Sequence, residues 1–152
     1  MRFLILLIPS FLLGYAQLIE LGIGVFDVTK SKDASLEFRL EYKPACVWHT
    51  IRPISGLMIT EKKQWYVYTG FGFDWVIANY LVFSPNFALG WYEKGDGKDL
   101  GFPLEFRSGV ELGIRFSREN RLGLHFYHLS NASLGRINPG SESLVLFFSK
   151  SI

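Results

Sequence analysis

Leu104-Glu105-Phe106-Arg107-Ser108-Gly109-Val110-Glu111-Leu112-Gly113-Ile114-Arg115-Phe116 decides the fold. Leu104, Phe106, Val110, Leu112, Ile114 and Phe116 share one parity, and Glu105, Arg107, Gly109, Glu111, Gly113 and Arg115 the other. Side chains along a strand point alternately to opposite faces, so this period of two predicts a strand with one apolar and one charged face. The same period recurs outward in both directions. Upstream it covers residues 17–28, 36–43, 48–60, 65–73 and 81–91; downstream it covers 121–130 and 142–149. The stretch at 36–43 is the cleanest of these, with Leu36, Phe38, Leu40 and Tyr42 opposite Glu37, Arg39, Glu41 and Lys43. The stretch at 48–60 is the poorest, interrupted by Pro53 and Gly56.

Turn-forming residues separate the eight expected strands: 29–33, 44–45, 61–63, 74–79, 93–103, 117–120 and 131–141. No stretch of useful length has helical period, and no internal repeat is visible. Eight strands of about ten residues close into a barrel, which removes the edges that invite aggregation. Alternation alone leaves open which face points inward. A soluble lipocalin-like barrel buries its apolar face, whereas an outer-membrane barrel turns that face to lipid and fills its lumen with polar groups.

Three features favour the membrane. Glu37, Arg39, Glu41, Glu105, Arg107, Glu111 and Arg115 mix opposite charges that can pair inside a narrow lumen. Trp65, Phe73, Trp91 and Phe116 sit at strand ends, where interfacial girdles belong. Residues 1–16 read as a secretory signal peptide, with Arg2, an apolar run over 3–13 and the small residues Gly14 and Ala16, and the exported chain ends in an apolar strand. The fold class is therefore all-β, an eight-stranded antiparallel up-and-down transmembrane β-barrel over residues 17–152.

Composition excludes other classes. The net charge is +2 and falls by one when Arg2 is removed, so bulk electrostatics does not point to nucleic acid. Cys46 is the only cysteine, which excludes an internal disulfide and reads as a buried or idle thiol. No cluster of cysteine and histidine offers a metal site, and no cofactor is expected.

An even-stranded barrel keeps both termini on the periplasmic side, so the connections at 29–33, 61–63, 93–103 and 131–141 should lie outside the cell. His128 and Ser130 continue the apolar series Leu122, Leu124 and Phe126, while Glu142 begins the series Leu144, Leu146 and Phe148. Ionisable groups on a lipid face cost roughly 2 to 4 kcal/mol at the midplane and about 0 to 1 near the interface, so this pair of strand ends tolerates them. A hydroxyl, an imidazole and a carboxylate together form the set that acyl transfer needs, drawing its ester from the outer leaflet. His125, one step off that face, should point into the lumen, and His49 reads as structural.

The motif Gly95-Asp96-Gly97-Lys98-Asp99-Leu100-Gly101, then Leu104-Glu105-Phe106-Arg107-Ser108-Gly109 with Glu111-Leu112-Gly113, and above all His128-Leu129-Ser130-Asn131-Ala132 with Asn138-Pro139-Gly140 and Glu142, resembles the outer-membrane lipid A 3-O-deacylase (acyloxyacyl hydrolase) family. The resemblance implies a serine esterase. Ser130 would attack the ester at the 3-position of lipid A, with His128 as base, Glu142 orienting it, and Asn131 and Asn138 at positions linked to the oxyanion hole. It also implies lipid A or lipopolysaccharide as substrate, with a homodimer left open. Lys94, Lys98 and Arg136 fall in the outer loops, within reach of lipid A phosphates. Two readings stand beside it: an esterase for phospholipid or another lipid using the same triad, and a non-catalytic structural or adhesion barrel.

Overall fold

The computed structural model describes residues 16–30, 32–48, 50–117 and 120–152. The expected signal peptide, apart from Ala16, and His49 lie outside the described residues. Among the described residues nine strands form one antiparallel sheet: β1 (Leu18–Phe26), β2 (Ser35–Lys43), β3 (Ile51–Thr60), β4 (Trp65–Phe73), β5 (Trp75–Ile77), β6 (Leu81–Glu93), β7 (Leu104–Phe116), β8 (Asn120–Ser130) and β9 (Ser141–Ser151). Apart from β4 and β5, neighbours in sequence pair, and β1 also pairs with β9, from Leu18↔Ser151 to Val25↔Leu144. β4 and β5 both pair with β6, so they are one stave broken at Asp74, and the closed barrel has eight staves.

Two boundaries differ from the sequence expectation by more than two residues. Residues 74–77 do not make a turn; Trp75-Val76-Ile77 resume pairing with β6, and the chain reverses at Ala78 and Asn79, both with positive φ. β3 begins at Ile51 rather than at 48, because Trp48 adopts φ 51° and Thr50 N–H donates back to the Trp48 carbonyl in a local turn.

The two faces separate as alternation predicts for a membrane barrel. Leu21 is 60% exposed, Leu112 53% and Leu124 49%, with Ile23, Phe38, Leu40, Phe126 and Leu146 also on this outer belt. Trp65 and Trp91 ring the end that carries the longer loops; Phe73, Trp75, Phe83, Phe116 and Phe148 ring the other, with Phe116 and Phe148 centroids 6.3 Å apart. Such a belt is unfavourable in water and at home in hydrocarbon.

The lumen is filled rather than open. Arg107 Nη1 donates to Glu41 Oε2 at 3.0 Å, and its guanidinium lies 4.2 Å from the Tyr68 ring. Arg39 Nη2 donates to Glu20 at 2.5 Å, and Tyr127 OH to Glu37 at 2.6 Å. His125 is buried there as expected, its ring contacting Arg39 and lying 3.1 Å from Asn86 Nδ2. Near the termini, Asp74 bridges two guanidiniums, accepting from Arg52 Nε at 2.7 Å and from Arg121 Nη1 and Nη2 at 2.8 Å. Buried charges of this density are tolerated when paired, and the alternating strands interleave the two signs so that most are; Glu105, fully buried with neither carboxylate oxygen hydrogen-bonded among the described residues, is the exception.

Candidate active site

β8 and β9 run in direct register where the sequence placed the reactive groups: His128 lies opposite Glu142 and Leu129 opposite Ser141. The two-residue period turns Leu129 and Ser141 inward, where both are fully buried, and leaves His128, Ser130 and Glu142 half-buried on the outer face. His128 Nδ1 lies 3.0 Å from Glu142 Oε1. That bond fixes the tautomer, since a carboxylate accepts and Nδ1 must therefore carry the proton, leaving Nε2 as a free base. Glu142 Oε2 accepts a second bond, from Thr29 Oγ1 at 2.6 Å. Ser130 follows His128 on the same face, and its hydroxyl makes no hydrogen bond among the described residues.

The two asparagines take different positions. Asn131 turns inward and is fully buried; its Nδ2 donates to the Leu100 carbonyl at 2.7 Å and the Ile137 carbonyl at 2.8 Å. Two carbonyl acceptors settle which end of the amide is nitrogen. Asn138 is exposed, and its Oδ1 accepts the Asn131 main-chain N–H at 3.1 Å, leaving its own Nδ2 without a hydrogen bond among the described residues. Between them, Ala132 and Ser133 both have positive φ, and Leu134 N–H donates to the Asn131 carbonyl, closing a type I′ turn.

The glycine-rich motif on the β6–β7 loop braces this loop from behind. Leu100 supplies the carbonyl that holds Asn131, and Gly101, at φ 90°, lies against Ile137 where a side chain has no room. Asp99 Oδ1 accepts the Gly101 N–H at 2.8 Å; that bond and Lys94 hold its carboxyl below the usual carboxylate range. Lys98 is not a surface cation. It is almost fully buried, with Nζ 2.9 Å from both Asp27 oxygens, and so is not free to meet a phosphate. Lys94 pairs with Asp99 at 3.1 Å, and Arg136 is exposed.

Gly140 has more than a turn former's role. At φ 61°, a Cβ there would lie 2.7 Å from His128 Cε1, so the glycine's bare backbone forms one wall of the imidazole. Thr29 and Gly140 are the two site residues whose contacts the sequence reading missed. Only the Asn-Pro-Gly sequence hinted at the second.

One carboxylate cluster has the shape of a cation site: Glu20, Glu41 and Glu111 in the lumen, with ligand atoms within 4.8 Å of one another. Lys43 already meets it. Its ammonium lies 2.6 Å from Glu20, 2.8 Å from Glu111 and 3.4 Å from Glu41, and Arg39 on Glu20 and Arg107 on Glu41 bring three positive charges against the three carboxylates.

A closed barrel with an apolar belt, aromatic rims and a paired polar lumen, carrying a histidine–carboxylate pair beside a serine on its outer face, defines an integral outer-membrane enzyme. The comparisons agree. The family model for lipid A 3-O-deacylase (PagL) matches residues 54–151. The crystal structure of the outer membrane enzyme PagL superposes with a TM-score of 0.72 at 19% identity, covering 89% of this chain and 99% of that one. A de novo designed transmembrane β-barrel follows at 0.60 and 13% identity, covering 91% and 96% of the respective chains. The Yersinia pestis outer membrane protein Ail in a phospholipid bilayer nanodisc gives 0.52 at 11% identity, covering 89% and 99%. Curated protein sequences gave no match. The protein belongs to the lipid A 3-O-deacylase (PagL) family, and that membership supports deacylation of lipid A as its activity.

Proposed function

We propose that the protein hydrolyses the ester-linked 3-hydroxyacyl chain at the 3-position of lipid A, with Ser130 as nucleophile, His128 as general base and Glu142 as its orienting carboxylate. The observation that carries this reading is the His128–Glu142 hydrogen bond of 3.0 Å on a lipid-facing rim, one strand step from an unengaged serine hydroxyl. Neighbouring same-face residues on a strand are about 6 to 7 Å apart at Cα, within which an imidazole and a hydroxyl can meet.

In the proposed reaction the acyl ester enters sideways from the outer leaflet. Ser130 Oγ attacks the carbonyl while His128 Nε2 takes its proton, and Glu142 stabilises the resulting imidazolium through Nδ1–H. The Asn138 amide is the side-chain donor left free to meet the tetrahedral oxyanion, and Asn131 acts on it by pinning the loop from inside. One such preorganised donor is worth about 3 to 4 kcal/mol. His128 then returns the proton to the departing sugar oxygen. Water, activated by the same nitrogen, releases a 3-hydroxy fatty acid from the acyl-enzyme.

The test is mass spectrometry of lipid A from cells expressing the wild type or Ser130→Ala. The wild type should remove one hydroxyacyl chain and the variant none. Lipid A unchanged by the wild type, with fatty acid released from phospholipid instead, would move the substrate to another lipid; continued deacylation by Ser130→Ala would end the serine mechanism.

A further inference from the structure

The first hairpin contributes a turn whose sequence, Asp27-Val28-Thr29-Lys30, shows no reactive pattern and lies outside the residues matched by the family model. Its geometry is nevertheless fixed from three directions. Asp27, at φ 58°, is fully buried and holds Lys98 of the β6–β7 loop. Val28 N–H donates to the Glu142 carbonyl at 2.8 Å, extending the β1–β9 ladder past the end of β1. Lys30 Nζ donates to the Pro139 carbonyl at 3.2 Å. Between these anchors, Thr29 Oγ1 lies 2.6 Å from Glu142 Oε2.

We infer that Thr29 is a positioning residue for the hydrolysis, holding the Glu142 carboxylate in the plane from which Oε1 meets His128. This rests on the Ser130–His128–Glu142 reading above. A carboxylate has two oxygens and rotates easily about its last bond, so one hydrogen bond to an imidazole leaves its plane loosely set. Two donors on its two oxygens set it: the His128 N–H on one and the Thr29 O–H on the other. Charge-assisted bonds of this kind are about twice as strong as neutral ones. The bland alternative is that a turn threonine has merely found a nearby acceptor. Against it, the turn is already tied to β9 by main-chain and lysine contacts, so holding the turn does not require the hydroxyl. The other charged or titratable groups facing Glu142 are His128 from β8 and Lys30 from the turn.

The experiment compares Thr29→Val, which keeps the shape and loses the donor, with Thr29→Ser, which keeps the donor, in the full chain folded into lipid–detergent micelles. Release of 3-hydroxy fatty acid from purified lipopolysaccharide is followed over a range of substrate concentrations. Thr29→Val should lower kcat about tenfold. Its KM should stay within about twofold of the wild type, because the threonine acts on the base rather than on bound lipid. Thr29→Ser should restore kcat, and adding Thr29→Val to Glu142→Gln should cost nothing further. Folding is checked by the thermal shift in electrophoretic mobility, and if Thr29→Val fails to fold, the Thr29→Ser and Thr29→Ala pair gives the same contrast. Full kcat in the donorless variant with Glu142→Gln inactive overturns the role of Thr29 alone. Full activity in Glu142→Gln overturns the triad beneath it.

Discussion

Replacing Gly140 with alanine tests whether the imidazole is held by the backbone behind it. The added Cβ would sit 2.7 Å from His128 Cε1, about 0.7 Å inside the 3.4 Å at which ordinary contact begins. The φ of 61° adds a separate cost of roughly 1 to 2 kcal/mol for any residue with a Cβ. A ring that swings away from the Cβ moves off its present bond to Glu142, and a misplacement near 1 Å in a reacting group costs on the order of 100-fold in rate. Gly140→Ala should therefore lower kcat about 10- to 100-fold, or roughly 1.4 to 2.7 kcal/mol of barrier. The control is Gly95→Ala, at φ 50°, whose Cβ meets the Lys63 carbonyl in a different turn and does not touch His128. Its Cβ would press on backbone at 2.3 Å, so it should lose at least as much stability and yet keep its turnover. The assay is release of 3-hydroxy fatty acid from lipopolysaccharide, with thermal melting of each variant alongside. If Gly140→Ala turns over within twofold of the wild type, or if Gly95→Ala loses as much rate, the wall does not position the imidazole.

Asp74→Ala should remove the carboxylate that Arg52 and Arg121 share in the lumen, a loss of about 3 to 5 kcal/mol and a melting temperature lower by roughly 10 °C, read by circular dichroism, with deacylation at low temperature retained because Asp74 lies at the far end from the triad. Because Lys43, Arg39 and Arg107 together balance Glu20, Glu41 and Glu111, EDTA should change neither the melting temperature nor the rate, and Lys43→Met should destabilise the barrel in either case. Leu124→Lys, placed mid-strand on the outer belt, should cost about 2 to 4 kcal/mol in lipid, measurable as a shifted urea midpoint for folding into vesicles. An unshifted midpoint would mean that this face does not meet hydrocarbon.

The barrel was legible because alternation is local: Leu104–Phe116 declares both its faces without reference to any partner. The direction of the faces came from charge content, since Arg39, Glu41 and Arg107 can be buried only if they pair, and they do, while Glu37 accepts from the Tyr127 hydroxyl. The His128–Glu142 meeting was also legible, because parity fixed the face and the hairpin fixed the register. What escaped depends on contacts between segments distant in sequence. Trp75-Val76-Ile77 looked like part of a turn because Asp74 interrupts the period, yet Asp74 is turned inward as a guanidinium clamp and pairing resumes beyond it. Lys98 looked like a loop cation because its partner, Asp27, lies 71 residues away. Asn131 resembled a site donor by motif, and only the positions of Leu100 and Ile137 show its amide facing the interior.

The seam between β1 and β9 joins the two ends of the chain, and the turn after β1 reaches Glu142 only across that seam. Under the proposed chemistry, the full hydrolytic rate therefore requires that seam to be closed, the pairing that makes the sheet a cylinder. A chain still in transit through the periplasm carries serine, histidine and glutamate without their final brace. On the roughly tenfold effect expected for Thr29→Val, a barrel open at that seam would turn over about tenfold more slowly than the closed one.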